Sequence, residues 1–553
     1  MSSDNNGPLL EVKGLRIEGY SEDQWHQIVK GVDFSLNRGE ILGLIGESGA
    51  GKSTIGIAAM GFAKPGCRIH GGSIKFDGLE LTTATEEQKR QLRGARIAYV
   101  AQSAAASFNP AHRLIDQFSE PVIQHGIGNR EQAYADAKAL YAKIKMPNPD
   151  TIGFRYPHQV SGGQLQRAMT AMALACRPDL IIFDEPTTAL DVTTQIEVLA
   201  TIKSIVEQFN TAAIYITHDL AVVAQMADKI KVLRNGESVE ESETRSMLND
   251  PQEDYTKSLW AVRSFRKTGQ TIDTASAPLI KIENISAIYP GTSKLVLKDV
   301  NFEIRRNETV AVVGESGSGK STLARVVTGL LKPGQGSIHF EGEVLPADYR
   351  NRDHQQLQNI QMIYQMADTA INPHHKICDI IGRPLSFYLG MEGEQKDQRL
   401  RELMEMIEMD PDQYLNRLPS ELSGGQKQRI CIARALAADP SFIICDEVTS
   451  SLDQLVAEGI LRLLDRLQQE LNLAYLFITH DLATVSAIAD KVVVMLQGEV
   501  VEQGPKNEVF EPPFHEYTEL LLSSVPEMDP DWMARVIEER QTKGKGGLES
   551  AGN

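Results

Sequence analysis

Nine residues constrain this chain more than any others: Gly46-Glu47-Ser48-Gly49-Ala50-Gly51-Lys52-Ser53-Thr54, set between the apolar run 41–45 and a helix-forming stretch at 55–60. A strand, a glycine-rich loop and a helix start, in that order, make a phosphate-binding loop. The glycines let successive backbone N–H groups turn toward phosphate oxygens at the positive end of a helix. Gly46, Ser48, Gly49, Gly51, Lys52, Ser53 and Thr54 are therefore read as nucleotide-binding. Lys52 supplies a point charge for the β- and γ-phosphates, and the Ser53 hydroxyl is placed for Mg²⁺. One such loop could arise by chance, but a second follows the apolar run 310–313 and assigns the same roles to Gly314, Ser316, Gly317, Gly319, Lys320, Ser321 and Thr322. The chain is expected to bind nucleotide twice.

At 553 residues the chain exceeds what one hydrophobic core organises, so two or more domains are expected. An apolar fraction of 42% and a charged fraction of 24% are those of an ordinary folded protein. A formal net charge of −18 argues against a nucleic-acid partner, because neutralising phosphates takes a surplus of Lys and Arg. Cys67, Cys176, Cys378, Cys431 and Cys445 are scattered without C-x-x-C or metal spacing, and read as reduced thiols of a cytoplasmic protein. No export signal and no membrane-spanning run is legible, so a membrane is expected to enter through a partner.

The two halves repeat each other. Lys320 follows Lys52 by 268 residues, while Gln426, Glu447 and His480 follow Gln164, Glu185 and His218 by 262. A period near 260 residues means a duplicated domain, not a solenoid. In the first copy, strand patterns at 9–17, 32–36, 73–76, 97–100, 180–183, 213–216 and 230–233 alternate with helical patterns, notably over 116–145 and from 161 to 175. Such alternation predicts an α/β domain with its nucleotide at the carboxyl ends of parallel strands. The boundaries read as a first domain at 1–262, a polar linker at 263–278, a second domain at 279–525 and a flexible charged tail at 526–553.

Each half carries, in order, a P-loop, a glutamine after a strand (Gln102, Gln365), a Ser-Gly-Gly-Gln helix start (161–164, 423–426), an apolar strand ending in Asp-Glu (184–185, 446–447), a Leu-Asp pair (190–191, 452–453) and a His-Asp (218–219, 480–481). This order resembles the nucleotide-binding domain of ABC ATPases, over nearly the whole chain twice. The resemblance implies two tandem P-loop NTPase domains of ABC type, each with a mainly parallel sheet core, an antiparallel β subdomain and a helical subdomain. It implies that Asp184 and Asp446 hold Mg²⁺, directly or through water, together with Ser53, Ser321, Gln102 and Gln365. Glu185 and Glu447 would orient or deprotonate the attacking water, His218 and His480 would contact the γ-phosphate, and Gln102 and Gln365 would link the site to a transport partner. Tyr20 and Tyr289 stand 32 and 31 residues before their lysines, where the family sets an aromatic ring against adenine; Trp25 is an alternative in the first half.

By the same resemblance, Ser161, Gly162, Gly163 and Gln164 close over the nucleotide held by the second half, and Ser423, Gly424, Gly425 and Gln426 over that of the first. Asp191 and Asp453 would lie along the shared interface. Departures are mild: Val160 and Val448 replace a leucine and a proline common in the family, and both sites are expected to hydrolyse ATP. Two readings compete, a transporter subunit and a soluble tandem ATPase acting on ribosomes or nucleic acid. The short linker, the lack of zinc-binding cysteine clusters and the acidic balance favour the transporter. The stretches Ser107-Phe108-Asn109-Pro110 and Ile371-Asn372-Pro373, with 253–259 and 515–521, resemble the peptide/nickel importer group. That implies two transmembrane permease subunits, a periplasmic solute-binding protein acting indirectly, no nucleic acid, and a place at the cytoplasmic face of the inner membrane. Peptides or peptide-like solutes are the expected cargo; opines, nickel chelates and glutathione remain open.

Overall fold

Runs such as Leu180-Ile181-Ile182-Phe183 are apolar on both sides of the pleat, so they demand a sheet covered on both faces. The computed structural model, which describes residues 7–21, 23–187, 190, 192–261, 266–267, 276–450 and 452–549 (of 541 and 543–549 the backbone alone), buries them completely. The described chain forms two compact units, one of residues 1–261 with 526–553 and one of 262–525.

In the first unit a six-stranded sheet runs in the order Glu237–Glu243, Lys229–Arg234, Ile41–Gly46, Ala212–Ile216, Leu180–Asp184, Ile97–Val100. All neighbours are parallel except the first pair, which is a hairpin. A four-stranded antiparallel sheet is ordered Gln24–Leu36, Leu10–Ser21, Cys67–Phe76, Leu79–Glu80. Its inward residues (Leu10, Val12, Leu15, Ile74, Phe76) share one core with Leu42, Leu44 and the P-loop helix residues Ile55 and Ala58. A helical layer follows, with Leu114–Gln124, Arg130–Lys143 and Gly162–Ala173 packed on one another.

The second unit repeats the plan. Its six-stranded sheet is ordered Ile360–Ile363, Phe442–Asp446, Ala474–Ile478, Thr309–Val313, Lys491–Leu496, Glu499–Pro505, and its antiparallel sheet Leu295–Ile304, Ile280–Ile288, Gln335–Phe340, Glu343–Val344. Two packed clusters divide its interior: one joins the antiparallel sheet to the P-loop helix, the other joins the helical layer to Tyr475 and Phe477.

Two expectations are corrected. The stretch 526–553 is not simply a flexible tail: Trp532–Glu549 is a helix whose Trp532, Met533 and Val536 are buried within the first unit. The cause is apolar residues at one-, three- and four-residue spacing, which charged neighbours had masked. The buried Gln225 amide anchors it, donating to the Glu527 and Asp529 carbonyls and accepting the Met533 N–H at 3.0 Å. Within the stretch read as linker, Lys267 is buried in the second unit, its Nζ 2.6 Å from both Asp490 and Gln468 and its N–H 2.7 Å from the Ala487 carbonyl.

Deleting residues 526–553 should destabilise the first unit by roughly 3–6 kcal/mol, the worth of three buried apolar side chains less partial recovery, plus an unsatisfied Gln225. Thermal unfolding of the shortened chain checks this; an unchanged first transition refutes the packing role.

Candidate active site

The loop geometry explains its glycines. Gly46 has φ 144° and Gly314 φ 149°, and a Cβ on either would lie 2.1 Å from the carbonyl oxygen of Leu233 or Met495 in the neighbouring strand. No side chain fits there. Gly49 and Gly317, both at φ 84°, instead face open space, and their left-handed backbone favours glycine. Lys52 is buried and its Nζ donates to the Gly46 and Glu47 carbonyls at 2.7 and 2.9 Å. Lys320 repeats this on Gly314 and Glu315 at 2.7 and 2.8 Å. Each ammonium is thus held at the loop's rim by two backbone carbonyls. Ser48 and Ser316 lie within these loops, and Thr54 follows Ser53 into the helix.

Strand order brings the remaining groups together. Ala212–Ile216 lies between the P-loop strand and Leu180–Asp184, so loop, Asp-Glu and His leave adjacent parallel strands at the same end. The Ser53 hydroxyl donates to Asp184 Oδ1 at 2.8 Å, and that of Ser321 to Asp446 at 3.2 Å. Gln102 Nε2 donates to Glu185 at 2.9 Å, whose other oxygen is 3.2 Å from His218 Nδ1. The copy gives 2.6 Å for Gln365 to Glu447 and 3.3 Å for Glu447 to His480. Each half therefore assembles a Gln–Glu–His cluster beside a Ser–Asp pair. Glu185 and Glu447 both sit at φ 50°, a left-handed conformation costly for a glutamate and often found at functional sites.

Hard oxygen donors, one hydroxyl and one carboxylate, fit Mg²⁺ when phosphates and water complete its shell. Among the described residues no cluster of three or more His, Cys, Asp or Glu is arranged to hold a metal by itself. Burial raises the Asp446 pKa, with the Ser321 bond and the Lys320 charge opposing.

Burial drags His218 down, yet the bond to Glu185 and the charges of Glu185 and Asp219 outweigh it and leave the imidazole above its usual range. The bond to Glu447 lifts His480 likewise, against burial. Burial alone would raise Glu447; the His480 bond and charge, with Lys320, bring it below its ordinary value. A lowered carboxylate stabilises the fold above its unfolded pKa of 4.5 and loses that as pH falls through the folded value. A raised histidine stabilises below its unfolded pKa of 6.5 and loses that as pH rises through the folded value. Their joint contribution therefore peaks between those two pH values. His480→Gln should lower the melting temperature more near pH 6 than at about pH 9, and equal losses at both would refute the charged pair.

The Ser-Gly-Gly-Gln segments start helices. Ser161 and Gln164, like Ser423 and Gln426, form reciprocal caps in which the serine oxygen accepts the glutamine N–H at 3.3 Å. Gly162 faces open space, whereas a Cβ on Gly163 or Gly425 would press on Leu190 at 3.2 Å or Val456 at 2.4 Å. Gly424 stands 3.8 Å from Leu452 by the same measure. Asp453 caps its own helix through the Val456 N–H, and Asp191 lies outside the described residues. The two aromatic positions differ. Tyr289 is part-buried against the P-loop helix, its hydroxyl 3.1 Å from Thr322 Oγ1. Tyr20 is about half exposed and contacts Trp25 at a ring distance of 5.3 Å.

One residue at the site was not singled out from sequence. Tyr99 donates its hydroxyl to Asp184 Oδ2 at 2.6 Å; burial and that carboxylate raise its pKa strongly. Met362 occupies the matching strand position in the second half and has no hydroxyl to offer. Aligning the two halves would have exposed the difference, though not the contact.

Residues 29–188 and 297–450 match the family described as ABC transporter. Residues 501–547 match the oligopeptide/dipeptide transporter C-terminal region. The glutathione import ATP-binding protein GsiA of Escherichia coli O6:H1 is 37% identical, over 95% of this chain and 90% of that protein. The protein so named from Salmonella choleraesuis is 36% identical, over 94% and 90%. A solved structure of cbiO1 from Clostridium perfringens is 28% identical, over 42% of this chain and 91% of that one, with a TM-score of 0.39. This chain belongs to the ABC transporter family and carries its ATPase cassette twice.

Proposed function

We propose that this protein is the ATP-binding subunit of an importer for peptides or peptide-like solutes, driving separate permease subunits from the cytoplasmic face of the inner membrane. The observation that carries the reading is the duplicated Gln–Glu–His cluster at two P-loops, in a chain 37% identical nearly end to end to a glutathione import ATP-binding protein. Glutathione is itself peptide-like, and the match to the oligopeptide/dipeptide transporter C-terminal region points the same way.

In this reading the loop N–H groups with Lys52 and Lys320 bind the phosphates. Ser53 with Asp184, and Ser321 with Asp446, hold Mg²⁺, which when bound offsets phosphate charge. Glu185 and Glu447 take a proton from water as its oxygen bonds to the γ-phosphorus and the bond to the β-phosphate oxygen breaks, releasing ADP and phosphate. Gln102 and Gln365 hold the glutamates, and His218 and His480 face the γ-phosphate. Next to Gln365, Tyr364 and Met366 are 41% and 56% exposed, apolar surface suited to a membrane partner. Among the described residues no helix is long and apolar enough to cross a membrane.

The test is affinity purification of the Glu185→Gln/Glu447→Gln protein from its native cells with MgATP in mild detergent. Two multi-span permeases are expected, and their solute-binding protein can then be screened against glutathione and di- and oligopeptides. Ribosomal or DNA-repair proteins without a permease would overturn the transport reading.

A further inference from the structure

We propose that Tyr517 is a positioning residue for the second nucleotide loop: its hydroxyl fixes the loop's stem, so the chain's C-terminal motif sets how tightly that loop takes phosphate. The hydroxyl accepts the Glu315 backbone N–H at 2.8 Å, and the ring is buried. The same Glu315 offers its carbonyl to Lys320 Nζ at 2.8 Å and to the Ser318 N–H at 3.2 Å. One residue therefore ties Tyr517 to the lysine that answers the phosphates. When Lys320 leaves those carbonyls for a nucleotide, the Glu315 amide stays held from the other side.

Tyr517 is itself held. It lies in the first turn of the helix Glu516–Leu522, which His515 caps by accepting the Tyr517 N–H at 3.2 Å. The Glu502 carboxylate accepts the His515 N–H at 3.3 Å and the Thr518 hydroxyl. A flexible segment could not fix a loop; this one is pinned to the strand Glu499–Pro505. The first half keeps the scaffold without the same bond: Glu240 accepts the Gln252 and Glu253 N–H groups at 2.9 and 3.1 Å, but the half-buried Tyr255 brings its hydroxyl near Glu47 without meeting hydrogen-bond geometry.

The inference rests on the reading of Lys320 and its loop as an ATP site. In the full chain carrying Lys52→Ala, so that binding reports the second loop, Tyr517→Phe removes the hydroxyl and keeps the ring. ATP dissociation constant and KM should each rise about fivefold with kcat little changed, the cost of freeing a buried N–H. Amide exchange should quicken at 314–319 without nucleotide and stay unchanged in the sheet strands. Unchanged affinity and loop exchange would overturn the proposal. Exchange quickened throughout the second unit would also overturn it, because the hydroxyl would then serve the fold alone. If the Lys52→Ala parent binds no ATP, the ATP-site reading fails first and is distinguished from a failure of Tyr517.

Discussion

Glutamine in place of both Glu185 and Glu447 is expected to cut ATP turnover by about two to four orders of magnitude while nucleotide stays bound. In the proposed mechanism the carboxylate takes the proton from water, and glutamine keeps its size without that capacity. The loop N–H groups, the lysines and the Ser–Asp pairs are untouched, so affinity should hold. The backbone supports the assignment: both glutamates keep a left-handed φ of 50°, a conformation retained at a cost in each half. Each single variant should keep part of the activity, because the second copy retains its Gln–Glu–His set. The measurement is phosphate release beside ATP retained after rapid gel filtration. Wild-type turnover in the double variant would remove both glutamates from the chemistry.

Much of the site was legible because its signals are local. A P-loop is nine consecutive residues, and Asp184-Glu185 and Thr217-His218 end strands whose uniform apolarity marks them as buried and parallel. What spacing could not supply was which side chains touch. Gln102 and Glu185 are 83 residues apart and Tyr99 and Asp184 are 85 apart, so their bonds are set by strand order rather than by any local pattern. Tyr517 meets Glu315 across 202 residues, and its sequence neighbours read only as a family signature. The C-terminal helix was missed for another reason: the composition of 526–553 looks solvated, and three apolar residues outweigh it only where the first unit offers Gln225 and a surface to cover. Lys267 was missed similarly, since a lone lysine in polar chain reads as solvent-facing until Asp490 and Gln468 receive it.

Removing either loop lysine should separate the two sites. Lys52 and Lys320 are buried, with relative exposures of 7% and 6%, and each already satisfies its charge with two backbone carbonyls. The Glu47 and Glu315 carbonyls also accept the Ala50 and Ser318 N–H groups, so they keep a donor when the ammonium turns to phosphate and gains a charge-assisted bond. Such a bond is worth about 1.5–3 kcal/mol, so Lys52→Ala or Lys320→Ala should weaken ATP about ten- to a hundredfold at one loop and leave the other unchanged. Calorimetric titration should then count two nucleotides per wild-type chain, one tight nucleotide in either single variant and none in the double. The sites need not be equal: Asp184 is braced by the Tyr99 hydroxyl, and Met362 at the matching strand position has none to offer Asp446, so the one nucleotide kept by Lys320→Ala and the one kept by Lys52→Ala should differ in their dependence on Mg²⁺. Two tight nucleotides in either single variant would show that the phosphates are held without these lysines.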